Sequence, residues 1–316
     1  MSAQPTWRVK TRRTVRGLPP VRAISVLRQV VRHPSNRGAR MAAVKRSLAW
    51  QWRSRTRSDP QDLAVYGGLT LRAYPRSNSA SNVIYFTPYF DPDEMEFLSR
   101  VLKPGDAFVD CGANIGTYSL LAASIVGSSG NVFSYEPAAR TAGRLRENVE
   151  INGLAAVIHV RQAAVGAVRG VARITSGSDV SNSIVSANEA GRVTEEIEVV
   201  PLDGAEFPSI PSIVKIDVEG YEMEALRGMS ALLKEDNRPI LLIELTPHLL
   251  RRAGTSATEV LAHLSRLGYV LRSYSKQEGR LLKADFAAIE QLQANYLAVP
   301  NERVRTLRRQ LMDTGC

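Results

Sequence analysis

The first 58 residues contain no aspartate or glutamate, although they carry 15 of the chain's 41 lysines and arginines. The rest of the chain then holds 26 basic residues against 31 acidic ones, so the formal net charge of +10 belongs to an N-terminal arm and the body is mildly acidic. Cysteine is nearly missing: Cys111 and Cys316 make no disulfide framework, and a reducing compartment such as the cytoplasm is expected. No apolar run approaches the ~18 residues of a membrane-crossing helix, so none is expected. No internal repeat is present either. What remains, 316 residues of which 44% are hydrophobic, suffices for one sizeable core with extensions.

The arm has two stretches of helical spacing. Val21, Ile24, Leu27, Val30 and Val31 form the first; Met41, Val44, Leu48 and Trp52 form the second, set among arginines and lysines. Three readings compete: a helical lid packed on the body, a basic amphipathic anchor peripheral to an anionic membrane surface, and a nucleic-acid-binding arm. An acid-free, arginine-rich start also suits an organellar transit peptide. Thr11-Arg12-Arg13 has twin arginines but no apolar core behind it, so export is not expected.

The body holds the densest motif. An apolar strand over 107–109 runs into Asp110-Cys111-Gly112-Ala113-Asn114-Ile115-Gly116 and then Thr117, the layout of a strand, a glycine turn and a helix at a nucleotide-type cofactor site. Asn114 stands where a dinucleotide fingerprint has its middle glycine, and asparagine tolerates positive φ better than other side chains. A second strand, 132–135, ends in Glu136-Pro137, where a carboxylate can accept both hydroxyls of a ribose.

These segments, with Asn148, Asn152 and Lys215-Ile216-Asp217-Val218-Glu219-Gly220, resemble the FkbM-type family of S-adenosylmethionine-dependent methyltransferases over about 63–300. The resemblance implies an α/β class I methyltransferase fold, Rossmann-like and doubly wound, with a seven-stranded sheet that has one antiparallel strand. It implies S-adenosylmethionine as cofactor, and O-methylation of a hydroxyl on a sugar, glycolipid or natural-product acceptor. Asp110, Gly112, Ala113, Asn114, Gly116, Thr117, Glu136, Ala163 and Asp217 become the candidate cofactor residues.

Four acids, Asp110, Glu136, Asp217 and Glu244, close four expected strands, where ligands bind in open α/β sheets. For Asp217 and Glu244 two roles stand open: a general base for the acceptor hydroxyl, or a pair that orients hydroxyls or holds magnesium. Lys215 needs a partner inside an apolar strand, either a strand-end acid or substrate. His248 suits a base near neutral pH or an ordinary surface histidine. Glu219 and Glu222 read as charges favoured at a helix start. Methylation of nucleic acid directed by the arm is the rival function, but Asp217-Val218-Glu219-Gly220 stands where an Asn-Pro-Pro-Tyr-like segment would serve base methylation. A cofactor-binding interaction protein without activity is the third.

The domain reading is a basic arm over 1–58, an opening hairpin and helix over 59–104, the methyltransferase domain over 105–300, and a basic tail over 301–316. Strands are expected at 63–74 and 82–86, with a helix from Asp91-Pro92 after them. The core is read as helix 138–152, strand 157–160, strands 168–174 and 195–200, strand 213–216, helix 219–233, strand 239–243, helix 256–267, and strands 269–274 and 295–299. The polar stretch 175–190 reads as a lid or substrate loop, with Ser181, Asn182 and Ser183 as contacts.

Overall fold

The computed structural model describes residues 20–86, 89–175, 194–234, 236, 238–286 and 289–313, so Ser181, Asn182 and Ser183 lie outside the described residues. Helices α1 (Pro20–Arg32) and α2 (Arg40–Thr56) form the arm. A hairpin of β1 (Gln61–Ala64) and β2 (Thr70–Ala73) follows, then α3 (Asn78–Tyr85) and α4 (Pro92–Val101). The expected strand at 82–86 is therefore a helix. Ser77 explains the difference: its hydroxyl accepts the Ala80 N–H at 3.1 Å, and Ala80, Val83 and Ile84 then share one buried face. The β-branched pair Val83-Ile84 favours a strand locally, and the cap with its packing overrides it.

The body continues with β3 (Ala107–Cys111), α5 (Thr117–Val126), β4 (Asn131–Tyr135), α6 (Ala139–Ile151), β5 (Ile158–Arg161), β6 (Ala164–Val165), β7 (Gly170–Thr175) and β8 (Thr194–Val200). Next come β9 (Ile213–Ile216), α7 (Glu222–Arg227), β10 (Ile240–Leu245), α8 (Pro247–Arg252) and α9 (Ala257–Arg266). Last are β11 (Tyr269–Ser275), β12 (Arg280–Lys283), β13 (Ala294–Pro300) and α10 (Val304–Asp313).

Eight strands form the main sheet in the order β12-β11-β13-β10-β9-β3-β4-β5. β3, β4, β5, β9 and β10 run parallel, β13 runs antiparallel to β10, and the edge strand β12 runs antiparallel to β11. The seven strands with one reversed are present, and β12 corrects the count by adding an eighth strand and a second reversal. Chain order turns at β3 and β9, which puts a switch point, and hence a ligand crevice, at the carboxyl ends of these two strands. Helices pack on both faces, one core centring on Phe97, Phe108 and Leu120, the other on Val214, Leu226 and Leu241. β6, β8 and β7 make a separate small sheet.

Two boundaries bear on the site. The helix expected over 219–233 shrinks to α7, because Glu219 takes a left-handed φ of 53° that no helix continues through. β10 runs on to Leu245, so Glu244 lies inside the strand rather than beyond it.

Candidate active site at the switch point

The turn after β3 is built by close approach. Gly112 has φ 81°, and a Cβ there would stand 1.9 Å from the backbone oxygen of Asp217, so only glycine lets the turns after β3 and β9 meet. At Gly116 a Cβ would meet Leu145 of α6 at 2.4 Å. The space these glycines free is thus filled by protein. Asn114 adopts φ 53°, as its residue type allows. Its side-chain oxygen accepts from Ile115 N–H at 2.8 Å and from the Ser79 hydroxyl at 2.7 Å, so α3 lies against the turn.

Glu136 follows β4 and is buried. Its two oxygens each accept one backbone N–H at 3.0 Å, from Asn114 and Ala138. Burial pushes this carboxyl up to about 7, in spite of those two bonds. A carboxylate has about four lone-pair positions, so two remain for a diol.

Strand register brings Asp110 of β3 beside Lys215 of β9. The Lys215 ammonium lies 3.0 Å from Asp217 and 3.8 Å from Asp110, and 4.8 Å above the Tyr118 ring. Burial works to discharge this lysine, but the two carboxylates outweigh it and hold the ammonium above its ordinary range. Asp110 is fully buried and accepts from the Ser119 hydroxyl at 2.7 Å, which in turn accepts from Ser134 at 2.8 Å. Burial raises its pKa, against the pull of Lys215.

A narrow cleft opens beside this network, lined by Asp91, Tyr118, Lys215, Asp217, Glu244 and Asn295 among others. Asp217 keeps 31% of its side chain exposed there. Glu244 is half-buried and accepts from the Gln293 amide.

The sequence candidates thus divide. Gly112, Asn114, Glu136, Lys215, Asp217 and Glu244 gather at the crevice end of the sheet. Asp110, Ala113, Thr117 and Ala163 are there too, buried like Glu136 and Lys215. Asp110 therefore serves as the inner counter-ion of Lys215, and the Ala163 side chain packs in the core with Val109 and Tyr135. His248 is exposed on α8 and is not among the residues that line the cleft. Nor does the donor set fit magnesium: the Lys215 ammonium holds the place against Asp217 that a cation would take, and among the described residues no three His, Cys, Asp or Glu side chains converge as ligands.

Sequence reasoning missed Tyr118, Asp91 and Asn295. Asp91 stands at the N-cap of α4, but its carboxylate makes no cap bond and accepts from the Tyr118 hydroxyl at 3.0 Å. Asn148 and Asn152, noted only as part of a resemblance, prove to be staples. Asn148 accepts from Arg72 N–H at 2.7 Å and donates to the Ile115 carbonyl at 2.9 Å. Asn152 bonds both backbone groups of Thr70 at 2.7 Å, so α6 holds β2 and the turn after β3 together.

The Methyltransferase FkbM domain matches residues 110–271, just over half of the chain. The protein belongs to the FkbM methyltransferase family. Among curated proteins, hexuronic acid methyltransferase AglP of Haloferax volcanii is 30% identical over 161 residues. That match spans 48% of this chain and 62% of AglP, so less than two thirds of the relative's length is covered. Among solved structures, methyltransferase FkbM from Methylobacillus flagellatus KT aligns with a TM-score of 0.40 at 16% identity, over 82% of this chain and 60% of that one. A SAM-dependent O-methyltransferase from Thermotoga maritima aligns with a TM-score of 0.37 at 16% identity, over 66% and 64%.

Proposed function

We propose that this FkbM-family protein transfers a methyl group from S-adenosylmethionine to a hydroxyl of a neutral, sugar-like acceptor. The observation that carries the proposal is the cleft at the switch point, where Asp217 and Glu244 offer carboxylate oxygens beside the Asn295 amide. The AglP similarity supports a sugar as acceptor. Charge refines that reading: Lys215, a cation lining the cleft among the described residues, is already shared by two carboxylates, so a uronate would find no counter-charge in it. The same acids repel the phosphates of a nucleic acid.

The cofactor fits residues of this chain. Glu136 would hold the ribose diol on its two remaining lone pairs, and the 112–114 turn would face the rest of the molecule. When bound, S-adenosylmethionine supplies an already electrophilic methyl on its sulfonium. The protein then has to align the acceptor and exclude water. Asp217, neutralised by Lys215, orients a hydroxyl by accepting its hydrogen bond. Glu244 takes the proton as the oxygen is methylated.

Isothermal titration calorimetry with S-adenosylmethionine tests this reading. Because the Glu136 carboxyl is raised to about 7 and only its ionised form accepts two hydroxyl protons, affinity rises by up to about tenfold between pH 6 and pH 8. Glu136→Gln flattens that dependence. Absence of binding at every pH, or Glu136→Ala binding as tightly as wild type, sinks the assignment. For the acceptor, a screen of neutral glycans and uronates with labelled donor is expected to show transfer to the neutral set. There, Glu244→Gln lowers kcat, whereas Asp217→Asn acts mainly on KM.

A further inference from the structure

The arm turns an unexpected side outward. α2 buries its small and polar face, Ala43 and Ser47 with Trp50, against α3 and the segment behind it. Three large apolar side chains lie on the opposite side: Met41 is 72% exposed, Leu48 48% and Trp52 64%. At 3.6 residues per turn these three fall with Lys45 and Arg55 within about 40° of a single line on the helix surface. The stripe from Met41 to Trp52 is roughly 16 Å long. Lys45, Arg55, Arg37, Arg40 and Arg57, all exposed, lie in or around it, and no acid occurs before Asp59.

The geometry points to this stripe as a docking face for an anionic lipid surface. An indole and two aliphatic chains in a row are the groups that enter the acyl boundary, and long basic side chains beside them reach back to lipid phosphates. Charge complementarity selects this occupant. A second copy of the chain would set two acid-free, basic faces against each other. A nucleic acid would engage the arginines but leave the apolar row with nothing to contact. Docking on this face would leave the cleft, with its different residues, to water-borne or lipid-linked acceptors alike, so the inference does not depend on methyl transfer.

The test is sedimentation of the full-length protein with vesicles of phosphatidylcholine, with and without phosphatidylglycerol, at low and high salt. Wild type is expected to bind the anionic vesicles, weakly or not at all the neutral ones, and less at high salt. The triple variant Met41→Ser/Leu48→Ser/Trp52→Ser is expected to lose at least about tenfold in partitioning while its thermal midpoint stays put, because the changed side chains are exposed. Lys45→Glu/Arg55→Glu should bind several-fold more weakly and show a smaller salt effect. Wild type that ignores anionic vesicles, or a triple variant that binds like wild type, overturns the inference. So does either alternative: an RNA mobility shift without vesicle binding, or a concentration-dependent dimer that the triple variant abolishes without vesicle binding.

Discussion

Lys215 is a cation in a strand whose four residues are all buried, and it is tolerable only because Asp110 and Asp217 face it. The sequence shows the need for a partner, and the two-residue period of a strand points to Asp217. Asp110 is 105 positions away and becomes a partner only through the register of β3 with β9, which no local pattern encodes. Lys215→Met is therefore expected to strand a buried carboxylate and cost about 3–5 kcal/mol in urea unfolding. Adding Asp110→Asn should recover part of that loss, since the neutral side chain can keep its bond to Ser119. Two additive losses would show instead that the lysine and Asp110 do not act as a unit.

Elements repeat the lesson at larger size. The turn after β3 was legible because its requirements are local: a positive φ at residue 114 and glycines at 112 and 116. What the glycines are for was not, since the atom that a Cβ on Gly112 would strike belongs to Asp217, in another turn. The misread segment, α3, turns on a single hydroxyl cap and on burial that sequence alone does not reveal. Asn148 and Asn152 were visible as residues and mute as to role, because their partners in β2 are 76 and 82 positions distant. Gly112→Ala tests the crossing of the two turns. The added methyl would have to move backbone at 1.9 Å on top of adopting φ 81°, so a loss of at least about 3 kcal/mol in denaturant unfolding is expected. A loss of less than 1 kcal/mol would mean that the turns after β3 and β9 move apart freely.

Across the whole molecule, a strongly basic arm is fastened to a mildly acidic body by apolar packing and by specific hydrogen bonds. The Asn36 amide donates to the Tyr85 carbonyl at 2.8 Å, Arg46 to Ile84 at 2.6 Å, Ser35 to Tyr89 at 2.6 Å, and the Trp50 indole to Ser81 at 2.9 Å. His33 sits among them, stacked on Phe86 at 4.3 Å with its Nε2 3.1 Å from the Phe90 carbonyl. Burial lowers this imidazole from 6.5 to about 4, although the carbonyl pulls the other way. A folded pKa below the unfolded one gives stability that is whole above pH 6.5 and is lost as pH falls toward 4. At pH 5.5 the missing contribution is about 1.4 kcal/mol, or roughly a tenfold rise in the population of the undocked arm. Hydrogen exchange of residues 26–57, corrected for the intrinsic pH effect, should therefore quicken about tenfold between pH 7.5 and pH 5.5. His33→Phe, which keeps the stacking and removes the charge, should abolish that change. If wild type and variant respond alike to acid, another titrating group governs the arm's attachment.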